Sequence, residues 1–162
     1  MSTWTNFDGL EIDFGVTQGK VNITGSTAES TVRTLVVDVD YESILEKDAL
    51  AEISIKDAFI PAGSYIRSAV FNPTTSWAAA GAATLTIGLG TRAGVVIDAD
   101  GIDATIAKTA LASTAVVDCD GALVGGTLPV GTSDACVYFT TATGPWTAGA
   151  GRLTIEYITD AT

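Results

Sequence analysis

The 162 residues contain no histidine. This removes Ser-His-Asp and Cys-His catalysis, in which imidazole carries the proton, and the zinc and iron sites built on imidazole. Cysteine is nearly missing as well. Cys119 and Cys136 are the two present, too few for a four-thiolate metal centre within one chain. Their separation would allow a disulfide, but two free, buried or half-buried thiols are the simpler reading for a chain that folds in a reducing cytoplasm. Cations are scarce: eight Lys and Arg stand against nineteen Asp and Glu, a net charge of −11 with a pI near 4.1. Phosphate backbones and anionic lipid surfaces need clustered cations, so neither nucleic acid nor membrane is expected as a partner. The acidity reads first as solubility and mutual repulsion, and second as something a basic partner surface could select. No run reaches the ~18 apolar residues of a membrane helix. Residues 1–15 are polar and acidic, without the apolar stretch of a secretory signal. There is no internal repeat, Walker loop or kinase motif set. Gly88-Leu89-Gly90 opens a G-x-G, but Ala93 occupies the third glycine position and no helix follows.

What remains is apolar, small and β-branched. Hydrophobic residues make up 47% of the chain and charged residues 17%, against a usual charged share of about 25%. With 17 glycines, this composition suits short strands and tight turns. Val37-Asp38-Val39-Asp40-Tyr41, Thr84-Leu85-Thr86-Ile87-Gly88-Leu89 and Leu153-Thr154-Ile155-Glu156-Tyr157 alternate with period two, which places one face in a core and one in water. Pro61-Ala62-Gly63-Ser64, Asn72-Pro73 and Gly144-Pro145 act as turns or breaks. Trp77–Ala83 reads as a small-residue loop. Glu42–Ala51 reads as a short helix or a charged loop, and the four-residue spacing of Ile102 and Ile106 predicts one short amphipathic helix. Seven to nine short strands without a βαβ rhythm predict an all-β fold, an antiparallel β-sandwich or jelly roll with at most one or two short helices. Residues 1–30, polar and turn-rich, read as an extended N-terminal arm with at most one or two short strands. Residues 31–162 form the sandwich domain.

Candidate chemistry is thin. Asp38/Asp40, Asp98/Asp100 and Asp118/Asp120 each have D-x-D spacing. On a strand both members share a face, where a cation or a glycosidase-like acid/base pair can sit. Asp98 and Asp100, with Asp103 beyond, are the best Ca²⁺ candidates. They lack the length and terminal Glu of an EF-hand loop, and a solvated turn or wet strand face is the simpler reading. No catalytic residue, cofactor or metal is therefore assigned. Trp4, Trp77 and Trp146 fall in arm or loop segments. Exposed, they would stack on sugars or anchor a protein partner; otherwise they cap the ends of the sandwich core. With Phe7, Leu10, Ile12 and Phe14 of the arm they make up the candidate partner-binding residues.

Several segments carry a resemblance: Ile60-Pro61-Ala62-Gly63-Ser64-Tyr65-Ile66, Val70-Phe71, Ala83–Leu89, Ile97-Asp98-Ala99-Asp100-Gly101 and Thr147–Tyr157. Over about residues 50–160 the chain resembles small virion proteins of tailed bacteriophages. These are capsid decoration (cement) proteins and related head or tail proteins, especially of marine and cyanobacterial phages. The resemblance implies a sandwich or jelly roll, a homotrimer seated on the major capsid protein at the outer capsid surface, synthesis in the host cytoplasm, and no active site. The expected function is a non-enzymatic one, stabilising the head by bridging capsomers. The alternative is a head-fibre or tail-fibre module that recognises host glycans through exposed Trp.

Overall fold

A computed structural model describes residues 2–5, 11–14, 22–23, 26–27, 32–45, 59–126, 128–143 and 145–159. The chain divides into two compact units, Met1–Ser30 with Ala161 and Thr31–Asp160 with Thr162. The first unit holds more short strands than the one or two expected of the arm. It carries four short strands, β1 (Ser2–Thr5), β2 (Glu11–Phe14), β3 (Asn22–Ile23) and β4 (Ser26–Thr27). These pair as two antiparallel hairpins, β1 with β2 and β3 with β4. Backbone register sets Trp4 opposite Ile12 and Ser2 opposite Phe14. Phe7 and Leu10 lie outside the described residues.

The second unit is built from β5 (Val32–Asp40), helix α1 (Tyr41–Leu45), β6 (Phe59–Ile60), β7 (Tyr65–Ala79), β8 (Thr84–Thr91), β9 (Val96–Ala107), β10 (Val117–Asp118), β11 (Ala135–Ala142) and β12 (Trp146–Ile158). Its strands form two four-stranded antiparallel sheets, ordered β10-β7-β12-β5 and β6-β11-β8-β9. In chain order the first strand lies beside the eighth, the second beside the seventh, the third beside the sixth and the fourth beside the fifth. Successive pairs alternate between the sheets, as when one long antiparallel ribbon wraps into a two-layer barrel. That is the jelly-roll connectivity.

The expected alternation is visible in the strands that close the fold. In β12 Leu153, Ile155 and Tyr157 point inward, while Arg152 and Glu156 face water. β5 pairs with β12 from Val32–Ile158 to Asp40–Ala150 without a register shift. The core between the sheets contains Phe71, Leu85, Ile87, Leu89, Ile102, Leu153 and Ile155, all fully buried. Phe71 lies against Trp77 and Phe139 with ring centroids 6.2 and 6.3 Å apart. Each such side chain taken out of water contributes roughly 1.5–3 kcal/mol.

Three local expectations are corrected. Ile102 and Ile106 belong to β9, not to a helix, and both are buried. A separation of four satisfies a strand's period of two as well as a helix's 3.6, and β9 is further irregular through its register shifts against β8. The helical turn that does form is the 3₁₀ segment Lys108–Ala110. Asn72-Pro73 does not end its strand: β7 continues to Ala79, taking in the first part of the expected Trp77–Ala83 loop. Pro73 is buried opposite Gly151, next to a register shift, a place where a strand tolerates a residue without an N–H. Residues Glu42–Leu45 are helical, part of α1, and residues 46–51 lie outside the described set.

Candidate functional site

Asp98, Asp100 and Asp103 all lie on β9. Asp98 and Asp100 are neighbours on the wet side, the Asp100 N–H reaching Asp98 Oδ1 at 3.4 Å. Burial raises the Asp98 carboxyl above its ordinary value, and the neighbouring Asp100 carboxyl adds to this, while the Asp100 N–H works against it. Asp103 points inward, is 5% exposed, and accepts the Thr105 N–H on Oδ1 at 3.0 Å. Burial raises its carboxyl too, against the Thr105 N–H and with help from Asp120. The three are therefore split between two environments. Among the described residues no group of three or more acidic or cysteine side chains is arranged to hold a metal ion. Beside Asp103 stands Cys119, free and buried, its thiol pushed up to about 12 by burial and then by Asp103 and Asp120. Cys136 is likewise buried, and the two cysteines form no disulfide. A thiol so far from its thiolate form is a poor nucleophile.

The candidate tryptophans of the body are not presented to a partner. Trp77, near the end of β7, is 4% exposed and Trp146, at the start of β12, is 1% exposed. Their rings meet edge to face, centroids 5.2 Å apart at 83°. They close one end of the sandwich together with Leu111 and Ala83. This burial depends on two glycines of the closing strand. A Cβ at Gly149 would overlap the Trp77 ring, and one at Gly151 would overlap the Phe71 ring. Lys108 is fastened at the same end, its Nζ donating to the carbonyls of Ala79 and Gly81 at 2.9 and 2.8 Å.

The opposite end is built differently. There β5 and β7 begin and β12 ends, and register aligns Val32, Ile158 and Tyr65 in one row. Pro129 bridges to Tyr65 and extends the row. The β8–β9 turn belongs to this end too, since Thr91 and Ile60 both pair with Ala135 and Ile60 leads through the Pro61–Ser64 turn into Tyr65. Here lie Val32, Val95, Val96 and Leu128, exposed by 41, 62, 51 and 52%. An open groove of about 440 Å³ runs among Tyr65, Arg67, Gly125, Gly126 and Ile158. The bare glycine backbone, with φ of +100° at Gly125 and +74° at Gly126, leaves this wall without side chains. Sequence reasoning missed this end. Single valines and a leucine in turns look like any others until register gathers them.

The fold and these two ends define an eight-stranded jelly-roll module with a sealed aromatic end and an open apolar end. No family model and no curated protein sequence matches the chain. Two solved structures share its fold. One is a chain in the cyanophage Pam1 capsid asymmetric unit, at 13% identity and TM-score 0.55, the match covering 91% of this chain and 98% of that one. The other is a chain in the capsid of Ralstonia phage GP4, at 14% identity and TM-score 0.55, covering 86% and 90%. At these identities the likeness is one of fold.

Proposed function

We propose that this protein is a structural, non-enzymatic component of a tailed-phage virion, and within it a decoration (cement) protein of the head. In this reading it sits as a homotrimer on the outer capsid surface and bridges subunits of the major capsid protein. One observation carries the reading: the jelly roll matches, over nearly the whole of each partner, chains of about its own length that are parts of phage capsids. A module of this size is comparable to those two chains. The glycan-binding alternative relied on exposed Trp77 and Trp146, and both indoles are buried. Cryo-electron microscopy of the particle that encodes this chain tests the proposal. Trimeric density on the outside of the head is expected, together with loss of heat resistance in heads lacking the protein. Density elsewhere on the particle, or heads equally stable without it, would sink it.

A further inference from the structure

The cations of this acidic chain are unequally committed. Arg152 pairs with Asp38 through Nε–Oδ1 at 2.7 Å. Arg92 stacks 4.1 Å over the Phe59 ring, and Lys108 is held by two carbonyls. Arg33 and Arg67 are exposed, and neither guanidinium has a bonding partner among the described residues. Both lie at the open end: Arg33 follows Val32, and Arg67 lines the groove.

Arg67 is also placed by a defect in the sheet. Ser68 pairs with Glu156 and Ile66 with Tyr157, so Arg67 is an extra residue with no counterpart on β12. Such a β-bulge sets an additional side chain on one face and re-aims it. Ile66 is fully buried and Ser68 donates to Glu156 on the outer face at 3.1 Å. The bulge thus adds a guanidinium beside a polar pair that is already satisfied. A guanidinium that shares its groove with Tyr65 and Ile158, with Val32 paired to Ile158 and Leu128 adjoining the Pro129 that bridges to Tyr65, matches a segment that brings a carboxylate and an apolar side chain together, since Arg forms bidentate bonds with carboxylates and apolar anchors supply the desolvated centre of an interface.

We infer that this open end is the surface by which the protein docks on the capsid shell, and that it grips an acidic, apolar segment of the shell subunit through Arg67 and the Val32–Leu128 apolar rim. The inference rests on the decoration reading and assigns it an orientation, with the tryptophan end facing away from the shell.

The test is co-sedimentation of the purified full chain with heads prepared without it, over a range of NaCl concentrations. Wild-type binding is expected to weaken as salt rises. Arg67→Glu and Leu128→Asp are expected to lower affinity by at least about tenfold with unchanged melting temperature. Val32→Asp serves as a second rim variant should Leu128→Asp melt early. Val116→Asp, at a more exposed valine (65%) beside β10, is expected to bind like wild type. Wild-type binding that survives Arg67→Glu and both rim substitutions overturns this inference and leaves the decoration reading intact. Failure of the wild-type chain to bind heads overturns both. If the variants change the mass of the free protein in solution, another copy of the chain covers this end and the inference is likewise overturned.

Discussion

At the scale of single residues, much of the fold's tolerance is decided by atoms that are missing. Gly151 lies under Phe71 and Gly149 under Trp77 with no room for a Cβ. Gly149 adds a φ of +145° that an L side chain resists. Gly151→Ala should therefore cost about 1–3 kcal/mol through overpacking, read as a lowered melting temperature in calorimetry; an unchanged transition would show that the aromatic stack can shift aside. Asp103 gives a pH-dependent counterpart. Its folded carboxyl titrates above the ordinary value of 3.8 because it is buried, so folding favours the protonated form. That favourable contribution is complete below pH 3.8 and is lost as pH rises through the folded value. Asp103→Asn keeps an oxygen for the Thr105 N–H and cannot ionise. It should raise the melting temperature at neutral pH and leave it unchanged below pH 3.8, and a destabilised Asn variant at neutral pH would contradict this.

At the scale of elements, local signals and tertiary pairing contribute unequally. α1 is five residues long, too short to persist by itself, and it is started by a cap: Asp40 Oδ1 accepts both the Ser43 N–H and the Ser43 hydroxyl at 2.7 Å. Asp40→Ala should cost about 1 kcal/mol, measurable by denaturant titration with an unchanged m-value. A cost near zero would mean that packing of Ile44, 6% exposed, holds the turn alone. β9 shows the opposite balance. Its sequence permits a helix at Ile102–Ile106, and the ladder to β8 overrides that preference. β7 likewise runs through Pro73 because β12 lies beside it. The alternating strands β5, β8 and β12 were legible from the sequence, since a two-residue period over several residues has one structural solution. β9 and the end of β7 were not, because their states depend on neighbours far away in the chain.

At the scale of the whole molecule, the jelly roll joins its first and last strands. The Arg152–Asp38 pair spans 114 residues, and among the described residues β5 pairs in its sheet with β12 alone. Contacts this distant must bear a loop-closure cost before they are rewarded. Folding should therefore fall in the milliseconds-to-seconds range of all-β domains, testable by stopped-flow refolding followed through Trp fluorescence. Microsecond refolding would indicate a core that forms before the outer strands close. The same closure divides the surface into two ends with different chemistry, one sealed by Trp77 and Trp146, the other open and apolar, with Arg33 and Arg67 exposed. Phage-capsid chains that share this fold at 13–14% identity show that very different sequences fill the same two layers.

The absence of histidine, the scarcity of cations and the two-residue alternation determined, from sequence alone, that the chain is an acidic all-β domain without imidazole chemistry. Composition and local periodicity fix such properties because they do not depend on which strand meets which. The aromatic residues were the limit. Their loop-like surroundings left open whether Trp77 and Trp146 met a partner or the core, and only the approach of β12, with glycines at 149 and 151, decided that they are interior. The open end was likewise settled by tertiary structure alone. Val32, Tyr65, Arg67, Leu128 and Ile158 are spread over 126 positions of the chain, and they become one surface because antiparallel register and a single bulge bring them into line.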